Sequence, residues 1–116
     1  MLKIRNEQLQ IFRKAMKLDL ENRLMVHLKN MFPNETDVDE AFLRRRIQGG
    51  MENAEQFGIV IEADIARFLE YSFYYHQKFY NAPDLEWIQD ILQDEGLDGT
   101  QKMDKIDSHL RLSTAT

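Results

Sequence analysis

No cysteine occurs anywhere in the chain's 116 residues, which excludes disulfides, thiolate metal sites and thiol nucleophiles together. It leaves the redox compartment open. Long apolar runs are missing as well: none approaches the roughly 18 residues needed to cross a bilayer, and Met1 to Arg13 lacks the apolar stretch of a secretory signal. The expectation is a protein that starts life in the cytoplasm and does not span a membrane. There is no G-x-S-x-G, no glycine-rich phosphate loop, no strand-like alternation, no repeat and no low-complexity tract. Prolines number only two, Pro33 and Pro83, so there are few forced breaks in helical periodicity.

What is present is ordinary for a soluble globular protein: 43% hydrophobic and 30% charged residues, in a length that fits one domain with one sizeable core. The domain is read as residues 1–112, with 113–116 as a frayed tail. The net charge of −5 is unevenly spread, with ten Lys/Arg against nine Asp/Glu in residues 1–58 and five against eleven in residues 59–116. An acidic second half repels phosphate backbones and argues against nucleic acid as the main ligand.

Leu9, Phe12, Met16, Leu20, Leu24, Leu28 and Met31 alternate spacings of three and four, which predicts an amphipathic helix over residues 6–31. Asn6 is its candidate cap, Leu2 and Ile4 can pack on its first turn, and Phe32-Pro33-Asn34 ends it. A second helix is expected after Thr36 or Asp37 as cap, with Val38, Phe42, Ile47, Met51, Ala54 and Phe57 on one face. Gly49-Gly50 interrupts that face at a cost of roughly 1 kcal/mol per glycine, so either a neighbour approaches closely there or the helix breaks. The continuous helix is preferred, ending at Gly58 as the left-handed residue after the cap. A third helix should run from about Ile61 to Tyr80, a short fourth follow Asp84 with Leu85, Ile88, Ile91 and Leu92, and a last one follow Thr100 with Met103, Ile106 and Leu110 inward. The fold class is all-α, a compact bundle of about five helices without a sheet.

The third helix carries the stretch FLEYSFYYHQKFY, with seven aromatic side chains in thirteen positions. At about 100° per residue, Ile65, Phe68, Leu69, Ser72, Phe73, Tyr75, His76, Phe79 and Tyr80 form one wide arc. Tyr71 and Tyr74 fall outside it, beside Arg67, Glu70 and Lys78, where a solvent-facing helix normally shows only charges. Two readings stay open. The phenols lean on Trp87 and the fourth helix with their hydroxyls in water, or they form an aromatic-and-charge patch that recognises another protein.

Catalytic and metal constellations are sparse. Three or four residues from His27, His76 and His109, where a helical co-ligand would sit, only Asn30 is a plausible ligand, so neither metal nor cofactor is expected. Ser72 lies on the buried arc, Ser108 and Ser113 in the weakly ordered tail. The pairs Glu62/Asp64 and Asp94/Glu95/Asp98 sit at helix starts and in loops, where carboxylates serve as caps and solvating charges. An enzyme is not expected. The run Arg44-Arg45-Arg46 lacks the second basic cluster that tracking a nucleic-acid backbone requires. It reads as a solvated face paired with neighbouring carboxylates, or as a surface that steers an acidic protein partner.

The order of features, "IRNEQLQIF", "HLKNMFP", "RRRIQGGMENAEQFGIVIEADIARFLEYSF", "PDLEWIQDILQD" and "GTQKMDKI", resembles a family of small helical accessory proteins encoded beside the spike-tip and toxin genes of bacterial type VI secretion systems. The similarity spans nearly the whole chain and is most specific at Ala54, Phe57-Gly58-Ile59 and Glu62-x-Asp64-Ile65-x-x-Phe68. These positions are mostly architectural. The resemblance implies a partner, either a secreted toxin or the spike protein that carries it, and a role as adaptor or loading chaperone; no catalytic residue carries over. Ile61 departs from the pattern, standing where a capping Thr or Ser is usual. The expected partner surface is Tyr71, Tyr74 and Trp87 with Arg67, Lys78 and Arg44 to Arg46. The alternatives are an immunity protein that offers the Asp94-Glu95 to Asp98 region to a basic toxin cleft, and a homodimer formed through the aromatic face.

Overall fold

The three-and-four spacing from Leu9 onward winds into a 26-residue helix, α1 (Asn6–Met31), in the computed structural model, which describes residues 6–75 and 83–114. Leu2, Ile4, His76, Lys78, Phe79 and Tyr80 lie outside that description, as does the side chain of Phe12. After α1 come α2 (Glu40–Gln56), α3 (Glu62–Tyr74), a 3-10 turn at Pro83–Leu85, α4 (Glu86–Leu92) and α5 (Gly99–Thr114). The protein is an all-α bundle of five helices, and the described residues contain no strand.

Helix boundaries follow local hydrogen bonding. Thr36 is drawn into the end of α1, where its N–H (3.0 Å) and hydroxyl (2.6 Å) both donate to Phe32 O. It is therefore unavailable as the cap of α2, and that role falls to Asp39, whose carboxylate accepts from Ala41 N at 2.8 Å. Val38 consequently lies in the connection and is exposed, as is Phe42 in the first turn of α2. At the other end α2 closes in a Schellman motif, with Ile59 N bonding Ala54 O at 2.9 Å and Gly58 N bonding Glu55 O at 3.0 Å. Gly58 takes the positive φ of 76° that this motif demands, and the apolar contact that accompanies it joins Ala54 to Ile59, both fully buried.

α2 passes unbroken through Gly49-Gly50, and only the second glycine has a packing reason. A Cβ on Gly50 would stand 2.2 Å from Leu69 Cδ2 of α3, whereas one on Gly49 meets nothing within 4 Å. A similar approach joins the C-terminal half to the rest: a Cβ on Gly99 would lie 2.6 Å from Gly58 O and 2.8 Å from Ile59 Cα. Asp98, not Thr100, caps α5. Its carboxylate accepts from Gln101 N at 2.8 Å, and Gln101 Oε1 accepts from Asp98 N at 3.0 Å, a reciprocal capping box. α5 continues to Thr114, into the stretch that the sequence assigns to a frayed tail.

α3 is the central element, packed against α1, α2 and α5, while α4 packs on α5. The core runs from Leu24 and Leu28 of α1 through Leu43 and Ile47 of α2 and Phe68 and Leu69 of α3. It continues into Ile88, Leu92, Met103 and Ile106 of the last two helices. The described α3 stops at Tyr74; the expected extension to Tyr80 falls outside the described residues.

The two adjacent glycines give opposite expectations. Gly49→Ala should stabilise the fold by about 1 kcal/mol through helix propensity. Gly50→Ala should instead destabilise it by about 1 to 3 kcal/mol, because the new methyl must displace the end of the fully buried Leu69 side chain. Urea unfolding of the two variants checks this; equal shifts of the same sign would show that α2 and α3 are not in contact at Gly50.

Candidate functional site

Arg67, assigned by sequence to an outward face, instead holds α3 to α5. Its Nη2 donates to Asp64 Oδ1 at 2.5 Å and its Nη1 to Asp104 Oδ1 at 2.9 Å and Asp107 Oδ2 at 2.7 Å. Asp64 is 4% exposed and accepts a further bond from Thr100 Oγ1 at 2.5 Å. Burial by itself pushes the Asp64 carboxyl up, but the hydrogen bonds from Thr100 and Arg67 and the guanidinium charge outweigh it and hold the carboxyl below its ordinary value. The Arg67 guanidinium, flanked by carboxylates, is pushed up despite its own desolvation.

The arginine run divides by face. Arg44 donates to the buried Glu21 carboxylate at 2.8 Å and to Asn22 Oδ1 at 3.0 Å, so it joins α2 to α1. The Arg46 guanidinium lies 3.8 Å over the centroid of the Phe73 ring and donates to Ser72 O at 2.9 Å. Burial pushes its pKa down, and its Nε has no partner among the described residues. Arg45 alone points into solvent, without an ion pair among the described residues. A guanidinium every 100° cannot form one basic face, and only the middle charge remains available to steer a partner.

The aromatic residues divide in the same way. Phe68 and Phe73 are buried, and Phe73 stacks on Phe32 at 5.8 Å. Tyr71 and Tyr75 are half-buried against the core, 6.4 Å apart. Trp87 is also half-buried, its ring stacked on His109 of α5 at 3.9 Å. Tyr74 is 72% exposed, and its ring meets Tyr75 edge-on at 5.0 Å. The Phe32–Phe73 and Arg46–Phe73 contacts bring the C-terminal ends of α1 and α3 together with the start of α2. This end of the bundle leaves Met31, Phe42 and Tyr74 in solvent.

A second apolar surface escaped the sequence. From Gln10 to Asp19, leaving Phe12 aside, every residue of α1 is exposed, including Ile11 at 69% and Leu18 at 52%. This half of α1 overhangs α2 and the α2–α3 connection and bounds a cleft of about 600 Å³. Leu18, Leu20, Met51, Ile59, Val60 and Ile65 supply its apolar lining, with Lys14 and Lys17 on the α1 rim and Glu52 and Glu55 on the α2 rim. The signal that could have revealed it is the pair Ile11 and Leu18, seven residues apart and off the main stripe of the helix.

Glu21, at the cleft, already accepts from Arg44 and from Gln48 Nε2 at 3.0 Å, and Ser72 Oγ donates to Leu69 O at 2.6 Å. Among the described residues no group of three or more His, Cys, Asp or Glu side chains could hold a metal ion, and no helix is long and apolar enough to cross a membrane. His27 is engaged by Glu70 at 2.9 Å. Comparison with family models, with curated proteins and with solved structures returns no match.

Removing the guanidinium at Arg67 strands a buried carboxylate, so Arg67→Met should cost about 3 to 5 kcal/mol at neutral pH. The folded-state pKa of Asp64 is depressed, so its contribution is complete above the unfolded value of about 3.9 and is lost as pH falls through the lower folded value. The gap between wild type and Arg67→Met should therefore narrow in acid. Chemical denaturation at pH 7 and pH 3 measures it, and a gap independent of pH would remove Asp64 as the coupled group.

Proposed function

We propose that the protein is a non-catalytic adaptor or loading chaperone that grips another polypeptide through the aromatic end of its bundle. The observation that carries this reading is Tyr74: a tyrosine 72% exposed, braced by the ring of Tyr75, at the end of the bundle that also leaves Phe42 and Met31 exposed. Aromatic rings held in place by their neighbours lose little side-chain entropy on binding, which is why tyrosine dominates interface hot spots. Arg45, on the neighbouring helix, supplies a cation for an acidic rim. The sequence resemblance supplies the setting, with a secreted toxin or its spike carrier of a type VI secretion system as the partner.

The immunity reading is less well supported by the local geometry. Asp94 accepts from the backbone of Gly96 and Asp98 caps α5, so two of the three carboxylates in that region already serve their own turns.

The test is capture by the full chain of the polypeptides encoded beside it, followed by calorimetry with Tyr74→Ala and Phe42→Ala. Each substitution should weaken binding by on the order of 2 kcal/mol, about thirtyfold, with helicity unchanged. Unaltered affinity in folded variants would remove the aromatic end as the docking face. Rescue of a toxin-exposed recipient cell by this protein alone would replace the adaptor role with immunity.

A further inference from the structure

The overhanging half of α1 presents apolar residues that its own bundle does not cover, next to a cleft whose two rims carry opposite charge. We infer that this cleft is the interface between two copies of the chain, related by a two-fold axis that sets the Lys14/Lys17 rim of each copy against the Glu52/Glu55 rim of the other.

Three observations select a second copy over other occupants. First, none of Lys14, Lys17, Glu52 and Glu55 has an ion pair within the chain among the described residues, although both rims border one cleft of about 600 Å³. Second, the surface is self-complementary. When two identical faces meet about a two-fold axis running along the cleft, left and right rims exchange, and each basic rim faces an acidic one; an axis across the cleft would set like against like. Third, the apolar lining has no convergent, unsatisfied polar group of the kind that orients a small molecule, because Glu21 is consumed by Arg44 and Gln48. Charge is therefore what selects the occupant, which must present an acidic rim to Lys14/Lys17 and a basic rim to Glu52/Glu55, as a second copy does. The shape agrees. The radius of gyration of 16.0 Å, with extents of 59 × 38 × 21 Å, exceeds the roughly 13 Å expected for a compact single domain of this length, as an overhanging arm requires.

The experiment is sedimentation velocity on the full chain at about 100 μM, with charge reversals on each rim. Wild type should sediment as a dimer. Lys14→Glu/Lys17→Glu and Glu52→Lys/Glu55→Lys should each be monomeric, since each places like-charged rims together, and all four positions lie on solvent-exposed helix surface, so circular dichroism should be unchanged. An equimolar mixture of the two variants should sediment as a heterodimer, which no effect on folding could produce. A monomeric wild type would overturn the inference. So would a dimer indifferent to both reversals, or one abolished by Tyr74→Ala instead.

Discussion

The contact on which the rest of the architecture depends is the Arg67 guanidinium wedged between α3 and α5. α4 packs on α5, and α5 on α3, so the C-terminal pair of helices is joined to the α1–α3 body along this seam. Apolar burial at Phe68, Met103 and Ile106 drives the association but is not directional. The forked donors of one guanidinium, each with its own carboxylate, fix the rotation of α5 about its axis, and a lysine's single ammonium could not span all three. Asp64 can be ionised though buried because it receives both Arg67 and Thr100 and stands in the first turn of α3, where the helix dipole favours negative charge. The seam also requires Gly99, whose missing side chain lets the start of α5 rest on the Gly58–Ile59 backbone.

Much of this bundle could be read from spacing alone, because a three-and-four pattern and a glycine in the left-handed position are local signals. α1, the unbroken passage of α2 through Gly49-Gly50, and Gly58 as its terminator are cases of this kind. The misreadings share one cause: a local signal with two outlets, where tertiary contact chooses. Thr36 has cap chemistry but closes the preceding helix; Thr100 has cap chemistry but reaches across to Asp64, leaving Asp98 to cap. Arg67 is polar and off the apolar arc, so a helical projection places it in solvent, yet α3 is surrounded by three helices and has little outward face. Ile61 departs from a capping residue as the sequence indicates, and α3 starts there without a side-chain cap, with the acidic Glu62 and Asp64 of its first turn complementing the helix dipole.

The overhang of α1 was hidden for a different reason, since periodicity describes one helix and says nothing about the length of its neighbours. At 1.5 Å per residue a helix of 26 residues is about 39 Å long, against about 26 Å for the 17 of α2 and about 20 Å for the 13 of α3. A bundle built on those two cannot cover the first, so roughly a third of α1 must project. The apolar stripe continues into the projecting part all the same. Met16 on the stripe and Ile11 and Leu18 off it are left exposed here, and an isolated amphipathic segment of that length is marginal in water unless something packs on it.

The two uncovered surfaces lie at different places on the molecule and differ in chemistry, which separates their roles. The aromatic end, which the proposed function makes the partner-binding face, offers the exposed rings of Tyr74 and Phe42 with Met31. The arm and its cleft offer aliphatic side chains between rims of opposite sign, a surface that complements itself. Two copies joined through the arms would carry two aromatic ends in one rigid particle. A partner with two copies of the recognised element would then bind the second end intramolecularly, and its overall affinity would exceed that of either contact without any new one being made. Under the adaptor role proposed above, weak single contacts combined in this way would let the protein hold a cargo and later release it, because loss of the paired geometry returns the affinity to that of one patch.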